Sequence, residues 1–430
     1  MGNMARSGNN GGCLGRLLRA VVALAFIGCL YLLTEPNGAS ITNPASWFGA
    51  VSGGLQSVFS GSAISSISGG TSSNASSAAS SASASNTRAN TDGDAAQPGS
   101  LYDNESASNY AYERLDVKSK TMYEALYQGL SANQDSITFT CDDQSAIDGV
   151  FKAIMADHPE LFYVTSLPYS LVGNQATVAH YSDLSQAEIQ SYQQQIDSYV
   201  DTCLSGIPAD ASDYDKSKYV FEYIAQHTVY DLNATRNQDI TSVFVGGASV
   251  CSGYAKAYQY LMQRLGIPCT LVSGTAQGNA HAWDLVYLDG AYYYVDPTWG
   301  DMEIQTRDAG IDVPSSFVDY TYLNATTADI QATHQFNSSF ALPACTATAD
   351  SYFVRENHLV ETDDPDLVGA LMAQDRANGK ACTQFRAAND DVYNSLVSQL
   401  FDNQQIAYYI TGGSVLYMQD PAERVVTVFL

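Results

Sequence analysis

Three residues that together could perform nucleophilic catalysis lie within 46 positions of each other, and the first of them is a cysteine. Gly246-Gly247 breaks the preceding segment, and Ser249 can cap a helix that begins near Cys251 and ends at Gly266-Ile267-Pro268. Cys251 is therefore predicted in a first helical turn. The unpaired amides and the dipole there stabilise a thiolate and can donate to an oxyanion.

The other two residues lie on a predicted hairpin. The segments 281–287 and 291–296 alternate in the manner of strands, and Asp289-Gly290 between them favours a two-residue turn. With that turn as the loop, His281 and Asp296 are diagonal neighbours on one face, close enough for their side chains to meet. The sequence thus predicts an imidazole–carboxylate hydrogen bond. The same register pairs Tyr287 with Tyr292 and Leu285 with Tyr294.

These residue types fit the roles of a thiol enzyme. Cys251 would attack an acyl carbon, His281 would accept the thiol proton and pass it to the leaving amine, and Asp296 would fix the imidazole tautomer. Residue spacing alone does not establish that Cys251 approaches His281.

Three motifs in this order resemble the transglutaminase-like superfamily, a papain-related thiol fold, over roughly residues 211–305. The resemblance implies that the cysteine, histidine and aspartate meet in a cleft between a helix and a sheet. Asp284 stands where the family usually has asparagine, which adds a negative charge on the opposite strand face. The motifs are Cys251-Ser252-Gly253-Tyr254-Ala255, His281-Ala282-Trp283-Asp284 and Tyr294-Val295-Asp296-Pro297-Thr298-Trp299.

Further site residues are candidates with competing interpretations. The family's second oxyanion donor is not identified; Tyr230, Asn279 and the Cys251 amide are candidates. Trp283, Trp299 and Tyr254 could contact substrate or could pack in the core. The chain has no C-x-x-C pair, EF-hand loop or nucleotide-binding fingerprint, so no metal and no cofactor is expected.

Composition limits the partners. The formal net charge is −26, from 19 basic and 45 acidic residues, which argues against binding nucleic acid through phosphates. The eight cysteines are too scattered for a disulfide scaffold, although Cys141 with Cys203 or Cys345 with Cys382 could pair.

The amino terminus has the pattern of an export signal. Arg6, Arg16 and Arg19 precede the apolar run 20–33, and no basic residue follows until Arg88, which predicts that the rest of the chain faces outward. Residues 1–34 are either a signal peptide or a signal anchor in the membrane. Residues 51–100 contain 16 Ser, 9 Ala and 7 Gly, so 35–100 is predicted to be a disordered linker. We expect a secreted or membrane-anchored bacterial protein.

The remaining chain divides into three predicted regions within an α+β fold. Residues 101–210 form a mostly helical region, which resembles the flank of exported bacterial members of the family at 157–163; 211–345 form the papain-like or transglutaminase-like catalytic domain, a Cys-bearing helix packed on an antiparallel sheet; and 346–430 form a small α+β domain. In the first region, local patterns predict a helix with an apolar stripe at 146–155, an extended segment at 161–164 and a capping box of Ser185 and Glu188. In the last region, they predict a helix that starts at Pro365, a helix at 389–401, strands at 406–410, 415–418 and 425–430, and a turn at 411–414.

The sequence favours an extracytoplasmic enzyme that acts on peptide or isopeptide amide bonds through a Cys–His–Asp triad and a thioester. A protein or peptide is the expected substrate, and the cell wall is a further candidate partner. Water or an amine could receive the acyl group, with a slight preference for water and hence for a peptidase. One alternative is a non-catalytic surface module that binds peptides or cell-wall polymers in the same cleft; another is acyl transfer of the arylamine N-acetyltransferase kind.

Overall fold

The computed structural model describes residues 109–301, 317–410 and 415–430. The predicted export segment 1–34, linker 35–100 and turn 411–414 lie outside the described residues. In the part that is described, no helix combines the length and the apolar character needed to cross a membrane. Helices and largely antiparallel sheets give an α+β fold, as the sequence predicts.

Residues 109–210 form four helices and a three-stranded antiparallel sheet of order β1-β3-β2. The capping box of Ser185 and Glu188 that opens α4 is confirmed. The elements are α1 Tyr110–Glu113, α2 Val117–Ser131, β1 Ser136–Thr140, α3 Ala146–Asp157, β2 Tyr169–Val172, β3 Gln175–Ala179 and α4 Gln186–Leu204.

The middle region is built around a central helix, α7, and a four-stranded antiparallel sheet of order β8-β7-β6-β9. Helix α7 packs against β6 and β7 on one side and against α5 and α6 on another. The elements are α5 Asp213–His227, β4 Val229–Tyr230, α6 Ile240–Phe244, β5 Ala248–Ser249, α7 Cys251–Arg264, β6 Cys269–Ala276, β7 Asn279–Leu288, β8 Ala291–Val295, α8 Pro297–Gly300, α9 Thr327–Ile330 and β9 His334–Phe336.

The C-terminal region has a four-stranded sheet of order β10-β11-β13-β12, in which only the β10–β11 pair is parallel among the described strands. Its elements are α10 Tyr352–Arg355, β10 Leu359–Val360, α11 Pro365–Ala377, β11 Cys382–Ala387, α12 Asp390–Val397, a π-helical turn Ser398–Asp402, a 3-10 turn Gln405–Tyr408, β12 Tyr417–Asp420 and β13 Val425–Phe429.

Two local predictions are wrong. The apolar run 406–410 forms a 3-10 turn rather than a strand, because Gln404 adopts a left-handed backbone (φ 57°) and the turn presses Ile406 into the core. Residues 161–164 are buried turns rather than extended chain, since the amide of Val164 donates to the Leu161 carbonyl at 2.9 Å. Short apolar runs do not distinguish a strand from a buried turn.

A single hydrophobic core joins residues 109–210 to α7 and its sheet, whereas a separate core fills the C-terminal region. Helix α7 is buried on almost every side, as expected for a helix enclosed by a sheet and other helices. Polar contacts also cross this boundary: the Gln259 side-chain amide donates to the Ala156 carbonyl at 2.6 Å. This packing fixes α7, and with it Cys251, against the sheet.

Candidate active site

Cys251 is the first residue of α7, which confirms the predicted helix start. The chain reaches it through β5, where Tyr230 pairs with Ser249 in parallel strands. Val250 is the extended N-cap residue, and its carbonyl accepts the Gly253 amide at 2.9 Å and the Tyr254 amide at 3.1 Å. The amides of Cys251 and Ser252 precede these first helical bonds, so they belong to the orphan donors of a helix N-terminus.

Ser249 does not cap this helix, contrary to the sequence-based expectation. Its hydroxyl lies 2.6 Å from that of Ser242, and no side chain caps α7 at Val250. Gly253 allows this arrangement, because a Cβ there would lie 1.9 Å from the Ser249 hydroxyl oxygen. The backbone donors at the start of α7 are therefore not used by a side-chain cap.

The hairpin has the predicted register. Tyr287 pairs with Tyr292 and Leu285 with Tyr294. Beyond the last paired residues, His281 Nε2 lies 2.7 Å from Asp296 Oδ2, so the predicted hydrogen bond is confirmed.

Asp296 is completely buried, and hydrogen-bond donors on both carboxylate oxygens hold it in place. Its Oδ1 accepts the amides of Thr298 at 3.0 Å and Trp299 at 3.4 Å, so Asp296 also caps α8. Its Oδ2 contacts both His281 and His334, the latter at 3.1 Å. Burial raises the pKa of Asp296, but attraction to His281 and the hydrogen bonds from both histidines outweigh it and hold the pKa well below its usual range.

His281 is only 5 % exposed. Burial lowers its pKa, but the charge of Asp296, the hydrogen bond to Asp296 and a hydrogen bond with the Cys251 thiol together raise it to about 10. Because Nε2 is bonded to Asp296, Nδ1 is the ring nitrogen left for the thiol. The pKa of His281 thus responds to the sulfur of Cys251, and its ring contacts the carboxylate of Asp296.

His334 is the site residue that the sequence analysis missed. It is 1 % exposed and begins β9, an edge strand that pairs with β6. It lies 38 positions beyond Asp296, in a segment without a strong periodic pattern. The sequence offers no signal for it apart from its residue type.

Asp284 lies on the opposite strand face from His281 and is completely buried. Burial and the nearby charge of Asp296 raise its pKa well above the usual range, which favours the neutral carboxyl. The additional negative charge expected at this position is therefore not favoured. Burial likewise raises the pKa of the neighbouring Cys269 thiol well above its usual range, as expected for an unreactive buried cysteine.

Two of the candidate substrate contacts are core residues instead. Trp283 and Tyr254 are both fully buried. The Trp283 ring packs 5.6 Å from Phe336, and the Tyr254 hydroxyl oxygen lies 2.8 Å from the Thr228 carbonyl and 2.7 Å from the Asp301 carboxylate. Neither side chain lines an open surface, so the core-packing interpretation is correct for both.

The remaining candidates lie at the edge of the site. Trp299 is half-buried, with its ring 6.0 Å from that of His281. Tyr230 is also half-buried and flanks the strand that leads to Cys251, with its ring 6.2 Å from that of Tyr254. Asn279 is exposed at the start of β7. Trp299 and Tyr230 therefore remain candidates for contact with a bound substrate.

His281, Asp296 and His334 place ligand atoms within 4.8 Å of one another, a spacing that a metal ion can use. The contacts described here are direct hydrogen bonds between these side chains, and we assign no metal to them. The expectation of no metal remains a prediction, and unchanged activity after dialysis against EDTA is the result that it requires.

The cysteines in the described residues form no disulfide. All six of them, including both candidate pairs, carry free thiols. Five are buried, and only Cys382 is partly exposed.

A cleft of about 750 Å³ is lined by residues of the helix and the sheet that carry the triad, but not by Cys251, His281 or Asp296 themselves. Ser252, the residue after Cys251, and Leu271 and Ser273 of β6 line one side of it, and Arg236 and Lys256 also contribute. Ser273 pairs with Ala282, next to His281. The cleft therefore borders both the helix and the sheet that carry the catalytic candidates.

Comparisons with known proteins give matches over the middle of the chain. Residues 203–297 match the transglutaminase-like superfamily, the family that the three sequence motifs resemble. The mouse and human proteins named kyphoscoliosis peptidase are 28% identical over 112 and 145 residues, or 22% and 29% of this chain. The chain spans only 17% and 22% of the length of these curated relatives.

Solved structures also match over part of the chain. A TGase is 17% identical with a TM-score of 0.25, and the match covers 31% of this chain and 44% of the TGase. The periplasmic domain of TgpA from Pseudomonas aeruginosa is 15% identical with a TM-score of 0.21, and the match covers 32% of this chain and 57% of that domain.

Proposed function

We propose that this protein is a thiol enzyme that acts on peptide amide bonds through a thioester on Cys251. One observation carries the proposal: Cys251 begins a buried helix and contributes to the raised pKa of His281, and His281 is hydrogen-bonded to the buried Asp296 at 2.7 Å. A nucleophile, a base and a group that orients the base are the parts that acyl transfer requires.

Nδ1 of His281, whose pKa is raised to about 10, holds the proton that Cys251 has given up, and in the first step the Cys251 sulfur attacks the carbonyl carbon of the substrate. The carbonyl oxygen becomes an oxyanion, and the Cys251 amide at the start of α7 is in position by chain connectivity to donate to it. Tyr230 is the candidate for a second donor, because its strand lies beside the one that leads to Cys251.

In the second step His281 returns the proton to the leaving amine, the C–N bond breaks, and the acyl group remains on sulfur as a thioester. Asp296 stabilises the imidazolium until it gives up this proton, consistent with the raised pKa of His281. Water or an amine then attacks the thioester while His281 removes its proton, and the Cys251 thiol is regenerated.

A peptide chain is the substrate class that fits the surroundings best. The cleft beside Ser252 has the volume of a typical ligand site, and Trp299 offers an aromatic surface next to His281. The relatives named as peptidases support hydrolysis as the outcome. We further propose that the enzyme works outside the cytoplasm, as the amino-terminal sequence predicts.

The test compares hydrolysis with amine transfer in one experiment. The full chain and its Cys251→Ala variant are incubated with fluorescein-labelled casein, with and without dansylcadaverine. We expect casein fragments from the parent protein and none from the variant. Dansyl incorporation without fragments would instead identify an amine transferase, and parent and variant that behave alike would contradict the enzyme proposal and favour a binding module.

A further inference from the structure

A second buried histidine shares the carboxylate oxygen that orients His281. His334 Nε2 lies 3.1 Å from Asp296 Oδ2, the same atom that His281 Nε2 reaches at 2.7 Å. We propose that His334 is a positioning residue, which holds the Asp296 carboxylate in the orientation that His281 requires. This inference rests on the proposed function of the Cys251, His281 and Asp296 triad.

A series of hydrogen bonds holds the His334 ring at Nδ1, the nitrogen that does not contact Asp296. Its Nδ1 lies 2.8 Å from the Thr333 hydroxyl, which lies 2.6 Å from the Tyr322 hydroxyl. The Tyr322 hydroxyl is 3.1 Å from Glu423 Oε1, and Arg386 donates to Glu423 Oε2 at 3.2 Å. This series of hydrogen bonds therefore runs from the candidate active site into the C-terminal region, entirely through partly or fully buried groups.

The number of protons available to these hydrogen bonds limits which atoms can be donors and which can be acceptors. The three contacts from His334 Nδ1 to Glu423 need three protons, but Thr333 and Tyr322 supply only one each. The third proton must be on Glu423 or on Nδ1 of His334. In either case Nε2 of His334 carries a proton of its own and donates it to Asp296, so the total charge of His334 and Glu423 is zero.

The surroundings of Glu423 make it a suitable place for that proton. It is 1 % exposed, and burial raises its pKa to about 7 although Arg386 acts in the opposite direction. Asp329 and Asp420 also face it and raise the pKa further. At the other end, Asp296 is faced by His281, His334 and the buried Asp284.

Packing is the competing explanation for His334. Its ring lies 4.9 Å from the rings of Trp283 and Trp299 and 5.1 Å from that of Tyr322, so it also fills space. Two substitutions separate the roles. His334→Gln keeps an N–H donor near the position of Nε2 but loses the ring, whereas His334→Phe keeps a ring and loses the donor.

The measurement needs no knowledge of the substrate. The full chain is treated with iodoacetamide between pH 5 and pH 9, and alkylation of Cys251 is followed by mass spectrometry of its peptide. At pH 6 we expect His334→Phe to slow alkylation roughly 10- to 100-fold, the size of effect that small misplacements of catalytic groups produce. His334→Gln is expected to retain most of the wild-type rate and pH profile.

A matched control and a second variant complete the test. His358→Phe removes another buried histidine that contacts an aspartate, Asp375, at 3.0 Å, and it should leave Cys251 alkylation unchanged. Thr333→Val removes one hydroxyl from the hydrogen-bond network with little change in side-chain volume, and it should slow alkylation even if His334→Phe does not fold.

Two other outcomes would overturn different claims. Wild-type profiles in both His334→Phe and Thr333→Val, or a His334→Gln variant as slow as His334→Phe, would overturn the positioning role. If instead the parent and a His281→Ala variant gave the same alkylation profile, the proposed function itself would fail, whatever the His334 variants do.

Discussion

The described residues contain two clusters made of the same three residue types, and only one of them has the arrangement that the proposed function requires. The first is the candidate triad of Cys251, His281 and Asp296. The second, here called the C-terminal cluster, consists of His358, Asp375 and Cys382. In both clusters a histidine Nε2 meets an aspartate oxygen, at 2.7 Å in the triad and at 3.0 Å in the C-terminal cluster.

The clusters differ in what surrounds that shared contact. His358 Nδ1 lies 2.7 Å from the Glu356 carbonyl, to which it must donate, so it has no lone pair for a thiol proton. Lys380 lies 2.9 Å from Asp375, so its ammonium group competes with His358 for the negative charge of the carboxylate. Cys382 begins a strand rather than a helix, and burial raises its pKa to about 12. An imidazole nitrogen left for the thiol and a helix N-terminus, rather than composition, distinguish the candidate triad.

The largest expected effect comes from exchanging sulfur for oxygen in each cluster. Cys251→Ser should reduce casein hydrolysis by about three orders of magnitude or more, because loss of a nucleophile removes the covalent route. Cys382→Ser should leave the rate within about two-fold, since small changes away from a site have little effect on it. Equal losses in both variants would show that the distinction between the clusters is wrong.

Neutralising the aspartate in each cluster should separate activity from stability. Asp296→Asn should lower kcat by roughly 10²- to 10⁴-fold, because the imidazolium loses its counter-charge and the tautomer is no longer fixed. Asp375→Asn should leave kcat per folded molecule unchanged while lowering the melting temperature by a few degrees. A large loss of kcat in Asp375→Asn would contradict the comparison.

The helix start can be tested through one glycine. In Gly253→Ala the new Cβ would lie 1.9 Å from the Ser249 hydroxyl and 2.7 Å from the Ser242 hydroxyl, so these two side chains or the start of α7 must shift. We expect a loss of about 1–3 kcal/mol in the free energy of unfolding and a several-fold lower kcat. The control is Gly149→Ala in α3, where a Cβ meets nothing within 4 Å and stability should rise slightly or not change. Equal stability in the two variants would be incompatible with this packing.

The smallest expected effect is a difference in how the two clusters respond to pH. The pKa of His281 is raised to about 10 in the folded state. Its contribution to the free energy of unfolding is therefore fully present below about pH 6.5 and is lost as the pH rises through 10. The pKa of Asp375 is lowered to about 2, chiefly because hydrogen bonds from His358 and Lys380 outweigh burial, so its stabilisation is present above about pH 4 and is lost on acidification.

Thermal unfolding at several pH values checks this prediction. The difference in melting temperature between the parent and His281→Ala should shrink by a few degrees from pH 7 to pH 10. The difference between the parent and Asp375→Asn should shrink from pH 4 to pH 2. A His281→Ala difference that grows with rising pH would refute the assigned shift.

The local part of the site could be predicted from sequence because it depends on short-range geometry. A two-residue turn at Asp289-Gly290 fixes the strand register, and the register places His281 beside Asp296. The approach of Cys251 to His281 could not be predicted in this way, because it depends on how α7 packs on the sheet. The family resemblance, rather than periodicity, supplied that expectation.

The errors have the same origin. Ser249 has the residue type of a helix cap, but its hydroxyl bonds to Ser242, a contact that only the folded arrangement creates. For Trp283 and Tyr254 the sequence left substrate contact and core packing both open, and only the tertiary packing shows that they are fully buried. His334 reaches Asp296 from a separate edge strand, so no local pattern connects them.

The central claim is that His281 and Asp296 activate Cys251 as a nucleophile, and acylation by 4-nitrophenyl acetate tests it most directly. The full chain is mixed with the ester at pH 7 and quenched in acid, and the acetyl group is located by peptide mapping. The account predicts a burst of nitrophenolate with acetyl on Cys251 that is lost in His281→Ala. Acetylation of Cys382 to the same extent as Cys251, or a burst that survives in His281→Ala, would contradict it.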